Sequence, residues 1–108
     1  MPIKIVILPE KNMQPVHKAQ AGTFESSDIM ILIEPLDNDG DNHIELSSSV
    51  GKQFKDQINR DITELLQKYE ITGARIIAKD KGALSPTIKA RVETAVLRSL
   101  DKQQGTLK

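Results

Sequence analysis

Two adjacent hydroxyls, those of Ser26 and Ser27, have the surroundings in this sequence that are most suited to chemistry. They stand between the carboxylates of Glu25 and Asp28 in the segment AGTFESSD, which opens onto the apolar run at residues 29–33. A buried strand would hold one end of this segment while solvent reaches the other. The two serines could therefore serve as an attachment point, with Ser26 the first candidate, or they could cap backbone amides in a polar turn.

Two other groups of residues invite a catalytic or metal-binding interpretation. His17 and His43 are the only imidazoles, and a serine hydrolase would need one of them beside a serine. The sequence has no G-x-S-x-G elbow, and we expect both histidines at exposed or edge positions. Residues 37–42 are rich in aspartate, but Asn42 and Ser48 occupy the positions where a calcium loop needs glycine and glutamate. We therefore expect a solvated turn there, and neither a hydrolytic triad nor a metal site.

Composition narrows the classes of function. The chain has 108 residues, enough for one domain but not for a deep cleft between lobes. Fifteen basic and fifteen acidic residues give a net charge of zero, which argues against a nucleic-acid groove. The absence of cysteine excludes disulfides and thiolate nucleophiles, and it suits a cytoplasmic protein. No apolar run approaches the roughly 20 residues of a membrane span, so we expect no membrane partner.

Three segments within residues 21–100 are predicted to be strands. The unbroken apolar run at residues 29–33 suits a central strand or one covered on both faces. Residues 43–47 alternate with period two, and the Asp39-Gly40 pair before them tolerates the positive φ of a tight turn. These two segments are therefore predicted to form a β-hairpin. A further strand is predicted at residues 74–79.

Two amphipathic helices are predicted around the later strand. The first is expected to be capped by one of the three serines at residues 47–49 and to end before Gly73. Its apolar side chains recur at steps of three and four: Val50, Phe54, Ile58, Ile62, Leu65, Leu66 and Tyr69. Ser85-Pro86 is a typical start for the second, with a capping side chain and then proline. Its expected buried face is Ile88, Val92, Ala95, Val96 and Leu100.

These elements predict an α+β fold in the order β-β-α-β-α. A single small sheet, made of the hairpin and one further strand, is covered by the two amphipathic helices. The main domain is expected at residues 21–100, followed by a polar tail at 101–108. Residues 1–20 are expected to be an N-terminal extension or arm. Within it, residues 1–8 form either an edge strand or part of a leader, and residues 10–20 form a linker.

The segment AGTFESSD followed by IMI resembles the signature of the citrate lyase acyl carrier proteins, the gamma subunits of that enzyme. Two later segments are similar to the same family in the same order. The residues SSV and KQF at 48–54 match its entry into a long helix, and DKGAL at 80–84 matches its later turn. The sequence departs from the family pattern at Phe24, where leucine is usual, and at Ser85-Pro86, where an aspartate is common.

The resemblance implies a role for one serine. In the family, the serine directly after the motif's glutamate, here Ser26, carries a 2'-(5''-phosphoribosyl)-3'-dephospho-CoA group through a phosphodiester. Ser27 stands where relatives have glycine or serine, and it is not the expected attachment point. A main domain at residues 21–100 would then be the acyl-carrier domain.

The resemblance also implies partners and a division of labour. The chain would be a non-catalytic subunit, because thioester chemistry needs a thiol that only the attached group supplies. Its arm would hold acetyl and then citryl, with the alpha subunit exchanging acetate for citrate. The beta subunit would cleave the citryl thioester to oxaloacetate and restore the acetyl form. The transferase that attaches the group would be a third partner.

Two alternatives to the carrier stay open from the residues themselves. The chain could be a non-catalytic interaction or regulatory module whose serine loop is capped or phosphorylated, and then no coenzyme-derived adduct would form. It could also be a small metal- or nucleotide-binding domain, which divalent ions or nucleotides would stabilise against heat.

Overall fold

The computed structural model describes residues 14–36 and 40–101, which form four strands and two helices. The predicted α+β class is confirmed, with one more strand than expected, so the order is β-β-β-α-β-α. The strand predicted at residues 1–8 lies outside the described residues. The elements are β1 (Ala19–Gly22), β2 (Ile29–Pro35), β3 (His43–Ser48), α1 (Lys52–Lys68), β4 (Ala74–Asp80) and α2 (Ser85–Ser99).

The strand order β1-β2-β4-β3 shows that the predicted hairpin between β2 and β3 is wrong. β4 lies between them, antiparallel to β2 and parallel to β3. A parallel pair needs a crossover connection, and α1 provides it between β3 and β4. The apolar content of the strands explains the order. β4 buries alternate residues along its whole length, whereas β3 has only Ile44 and Leu46 to bury and takes the edge.

The strand β1 is not predicted, because residues 10–20 are expected to be a linker. Ala19 and Gln20 instead pair antiparallel with β2, and the chain before them is attached as well. The backbone N–H of Val16 donates to the carbonyl of Ser99 at 2.8 Å. With the sequence AQAG, β1 has too little apolar alternation to be recognised as a strand.

Both helices cover the same face of the sheet, where the hydrophobic core lies. α2 packs on β1 and β2, and α1 packs against β3 and α2. Met30 and Leu32 of β2 point to the face that carries no helix and are only partly buried. The unbroken apolar run is therefore that of a central strand. The most buried apolar side chains are Ile29, Ile31, Ile33, Ile62, Ile76, Ile88, Val92 and Val96.

The two helices run in the same direction but begin at different levels. Ser85 Oγ donates to Asp61 Oδ2 at 2.7 Å, and Lys89 Nζ lies 3.2 Å from Glu64 Oε1. Ser85 is the first residue of α2, whereas Asp61 lies well inside α1. At 3.6 residues per turn, about two and a half turns at the N-terminal end of α1 therefore lie before the level at which α2 begins.

This offset explains why one predicted core residue is not buried. Phe54 belongs to the apolar stripe of α1, one turn before Ile58, but its side chain is 57% exposed. It lies on the part of α1 that extends past α2. The predicted period of the stripe is correct, and Tyr69 and Val50 pack partly buried against the core. The predicted face of α2 is buried at all five positions.

Neither helix is capped by the predicted serines. The N-cap residues of α1 and α2 are a glycine and a leucine, and neither makes a side-chain capping hydrogen bond. Ser48 Oγ donates instead to Asp80 Oδ2 at 2.8 Å, and Ser85 Oγ donates to Asp61. Both of these carboxylates are buried and need donors, which explains why the serine hydroxyls point to them.

Neither α1 nor α2, the helices that the structure describes, is long and apolar enough to cross a membrane.

Candidate functional site

The segment between β1 and β2, residues 23–28, is named here the serine loop. It lies at the end of the sheet where β2 begins and where β3 and β4 end, because Ile29 and Ser48 both pair with Asp80. Both helices also begin at this end. The serine loop therefore lies beside the connection from β4 to α2, residues 81–84, which is named the β4–α2 turn.

The hydroxyls of Ser26 and Ser27 are exposed and free. Within residues 14–36 and 40–101, neither makes a side-chain hydrogen bond. Backbone N–H groups of the loop instead donate hydrogen bonds to other side chains. Thr23 Oγ1 accepts from the N–H of Glu25 at 3.3 Å, and Asp28 Oδ2 accepts from the N–H of Thr23 at 3.1 Å. The alternative in which the hydroxyls of these two serines cap backbone amides of the turn is therefore wrong.

Asp28 holds the serine loop in place. Its carboxylate accepts from Thr23 Oγ1 at 2.6 Å, from the N–H of Ile29 at 2.7 Å, and from Arg91 Nε and Nη2 at 3.0 Å each. A bidentate arginine pair of this kind is among the stronger hydrogen-bonded contacts. Because Arg91 and Thr23 donate to the charged carboxylate, the pKa of Asp28 lies well below its usual range. The loop is thus joined to both β2 and α2.

The serine loop is also joined to the β4–α2 turn. The N–H of Ser27 donates to the carbonyl of Lys81 at 2.8 Å, and the N–H of Lys81 donates to the carbonyl of Asp28 at 2.9 Å. Asp80 orders the turn itself by accepting from two of its backbone N–H groups, both at 3.0 Å. The two connections therefore form one hydrogen-bonded unit with the serines at its surface.

Two backbone positions with positive φ shape the loop. Gly22 has φ of +88°, and a Cβ atom there would lie 1.9 Å from the carbonyl oxygen of Ile29. Only glycine fits this position. Ser27 has φ of +64°, in the left-handed region that glycine adopts most readily. Ser26 has no such conformation, so the two neighbouring serines differ in their backbone as well as in their expected roles.

A lysine and an aromatic ring lie against each other beside the serines. Lys81 Nζ is 4.9 Å from the centroid of the Phe24 ring, within the range of a cation–π contact. Phe24 is 56% exposed, and Lys81 is exposed as well. Solvent and any partner therefore reach both side chains, together with the hydroxyl of Ser26.

The histidines do not lie at the serine loop. His43 begins β3 at the opposite end of the sheet, where it pairs in register with Arg75. His17 precedes β1, also at that far end, with its Nε2 3.2 Å from Asp101 Oδ1. Among residues 14–36 and 40–101, no three His, Cys, Asp or Glu side chains are arranged to hold a metal ion. Part of the aspartate-rich turn, residues 37–39, lies outside the described residues.

Arg91 is a residue of this site that the sequence does not reveal. It stands 63 positions after Asp28, on the flank of the buried stripe of α2. No local pattern distinguishes it from other basic residues of an amphipathic helix, such as Lys89 or Arg98. Asp28 could be noted in the sequence as a carboxylate of the loop, but its structural role depends on this distant partner.

Replacing Asp28 with asparagine is expected to lower the free energy of unfolding by roughly 2 kcal/mol near neutral pH, because the ion pair with Arg91 is lost. This is less than a fully buried pair would contribute, since the Arg91 side chain is 40% exposed. The folded-state pKa of Asp28 is lowered. Its stabilisation is therefore present above the unfolded-state pKa of about 3.9 and is lost as the pH falls below that value.

Urea unfolding at about pH 7 and about pH 3 would measure this effect, and the difference between wild type and variant should narrow at the lower pH. Asp56→Asn is the control, because its exposed pair with Lys52 should contribute less than about 0.5 kcal/mol. An equal difference at both pH values would contradict the role given to the Asp28 charge.

A small α+β domain that presents a free serine on a braced loop, with no imidazole beside it, has the features of a carrier module. Comparison with known proteins agrees. Residues 16–99 match the family described as Malonate decarboxylase delta subunit (MdcD). The citrate lyase acyl carrier protein of Yersinia enterocolitica is 45% identical over 91 residues, which cover 84% of this chain and 93% of that protein. The one of Edwardsiella ictaluri is 44% identical, covering 79% and 86%.

The chain belongs to the citrate lyase acyl carrier protein family, which confirms the resemblance seen in the sequence. A solved structure supports the fold. A chain of the Pseudomonas malonate decarboxylase hetero-tetramer, crystallised with malonate, superposes with a TM-score of 0.65 at 21% identity. The match covers 81% of this chain and 89% of that one. At this level of identity the likeness shows a shared fold.

Proposed function

We propose that this chain is the acyl carrier subunit of a citrate lyase, with a 2'-(5''-phosphoribosyl)-3'-dephospho-CoA group joined to Ser26. Its membership of the family supports this role. The observation that carries the proposal is the free, exposed hydroxyl of Ser26 on a loop whose own hydrogen bonds are made without it. When bound, the group would supply the thiol that holds acetyl and citryl thioesters while citrate is cleaved to acetate and oxaloacetate.

The described residues fit a group of this kind. Attachment through a phosphodiester needs a hydroxyl that an enzyme can reach, and Ser26 is exposed. It also places a negative charge beside the loop. The carboxylate of Asp28 adds little repulsion there, because Arg91 neutralises it. Lys81 brings a positive charge to the same surface.

The part of this chain in the reaction would be presentation, with no catalytic side chain of its own. A tethered intermediate gains from a high effective concentration at each active site that the arm can reach. The serine loop contributes a fixed point of attachment, because Gly22, Asp28 and Lys81 join it to three different elements. We expect the assembled enzyme to work in the cytoplasm.

Exposed apolar side chains at the end of the sheet that carries the serine loop support docking of the proposed alpha and beta subunits and of the transferase there. Three large apolar side chains at this end are exposed: Phe24 by 56%, Phe54 by 57% and Leu84 by 75%. They come from the serine loop, the first turn of α1 and the β4–α2 turn. Large exposed apolar side chains that share one end of a molecule are typical of interaction sites. Any subunit that receives the arm must approach this end of the molecule.

Replacing Phe54 and Leu84 with serine is therefore expected to weaken binding to the purified alpha subunit by roughly tenfold, or about 1.4 kcal/mol. Folding should be preserved, because both side chains are already exposed. Val16→Ser is the matched control, since Val16 is 65% exposed but lies at the opposite end of the sheet. Similar Kd values for the double variant and for Val16→Ser would rule out this docking surface.

The intact mass of the chain tests the proposal as a whole. When the chain is produced together with the transferase and the enzyme that makes its precursor, the mass should increase by that of the complete group. A regulatory module would show no coenzyme-derived adduct, or only the increment of a single phosphate. Either of those results would overturn the carrier function.

A further inference from the structure

Lys81 is an exposed cation for which the described part of the chain offers no acidic partner. Lys18, Lys52, Lys68 and Lys89 each lie within 4.0 Å of a carboxylate, as their ion pairs show. Lys81 makes no such pair, and its Nζ instead lies over the ring of Phe24. This contact keeps the ammonium group close to the serine loop, when it could otherwise extend into solvent.

The backbone of Lys81 is held against the same loop. Its carbonyl accepts from the N–H of Ser27, and its N–H donates to the carbonyl of Asp28. Lys81 thus lies opposite the residue that directly follows Ser26. Both ends of its side chain are restrained: the Cα by these two hydrogen bonds and the Nζ by the aromatic ring. The entropy lost when the side chain binds an anion here is correspondingly small.

A phosphate joined to Ser26 would interact with the charged side chains that surround the serine loop. Asp28 and Arg91 neutralise each other. Glu25 is exposed and, within residues 14–36 and 40–101, makes no ion pair, so it would repel a phosphate on Ser26. A cation is needed to offset this repulsion, and Lys81 is the unpaired one whose backbone is hydrogen-bonded to the loop.

We propose that Lys81 pairs with the phosphodiester phosphate joined to Ser26 and so positions the attached group at its root. This inference rests on the proposed function, and it assigns a role to the lysine of the DKGAL segment. Lys79 is a poor candidate for the same role. It belongs to β4, pairs in register with Met30 and lies on the sheet face that carries no helix. Lys79 is therefore the matched control.

NMR titration of lysine side chains tests the pairing without measuring enzyme activity. The ammonium signals of Lys81 and Lys79 are followed in the wild-type chain, first free and then loaded at Ser26. Loading should raise the pKa of Lys81 by roughly 0.2–0.7 units, as expected for a pair near the surface. The pKa of Lys79 should stay within about 0.1 units, and added salt should reduce the shift at Lys81.

The phosphorus signal of the loaded chain gives an independent measurement. Lys81→Gln should shift the ³¹P resonance of the phosphodiester, Lys81→Arg should restore most of the wild-type position, and Lys79→Gln should leave it unchanged. A loaded chain in which Lys81 keeps its pKa, or in which Lys79 responds equally, would overturn the inference while the carrier function stands. Absence of any adduct in the intact mass would overturn both.

Discussion

Replacing Ser26 with alanine is expected to abolish covalent loading, whereas Ser27→Ala should load to nearly the wild-type extent. The two hydroxyls are adjacent and exposed, and neither makes a hydrogen bond within the described residues 14–36 and 40–101, so general accessibility does not distinguish them. Their backbones do. Ser27 has φ of +64° and donates its N–H to the carbonyl of Lys81, whereas Ser26 does not have a positive φ. The measurement is the intact mass of each variant produced with the loading enzymes.

Ser27→Gly is a useful companion to these two variants. Glycine adopts a positive φ without the cost of roughly 1–2 kcal/mol that other residues incur, so this variant should fold at least as stably as the wild type. It should also load fully, because Ser26 and the Lys81 hydrogen bond are preserved. Full loading of Ser26→Ala would refute Ser26 as the attachment point, and loss of loading only in the Ser27 variants would transfer that role to Ser27.

Replacing Gly22 with alanine is expected to cause the largest loss of stability among single substitutions at this site. The positive φ costs roughly 1–2 kcal/mol for a residue with a Cβ atom. The added Cβ would also lie 1.9 Å from the carbonyl oxygen of Ile29, a backbone atom that cannot move without disturbing the start of β2. Overpacking of this kind typically costs a further 1–3 kcal/mol or so, giving a total of about 2–5 kcal/mol.

Two other glycines separate the contributions to this loss. Gly82 has φ of +94° but open space around its would-be Cβ, so Gly82→Ala should show only the conformational cost of roughly 1–2 kcal/mol. Gly51 has neither a positive φ nor a close neighbour, and Gly51→Ala should be close to neutral. Urea unfolding of the three variants measures the series. If Gly22→Ala is no less stable than Gly82→Ala, the close approach to Ile29 is not a real constraint.

These substitutions connect stability with presentation of the serine. Gly22 and Asp28 stand at the two ends of the serine loop, and each fixes it against a different element. A change at either position should therefore affect loading as well as folding. Asp28→Asn keeps the shape of the side chain, so a loss of loading in that folded variant would report on the position of the loop itself.

Much of this protein is determined by local patterns that the sequence displays directly. Side chains at steps of three and four specify the two helices, and the apolar run after the serine loop specifies a central strand, because both patterns depend only on neighbours along the chain. The motif around Ser26 likewise indicates the family, since its residues are contiguous. The serine loop and its exposure could therefore be predicted without a structure.

What the tertiary structure alone decides involves residues that are far apart in the chain. β4 enters between β2 and β3, which excludes the simple hairpin, because strand neighbours are chosen by burial and by the crossover through α1. The same arrangement brings Arg91 to Asp28 and Lys81 to Phe24, pairings that no local period encodes. It also leaves Phe54 exposed, since α2 begins too late to cover it. The sequence indicates the family and the two candidate hydroxyls, and the packing of distant elements determines which residues hold the serine loop in place and which charges surround it.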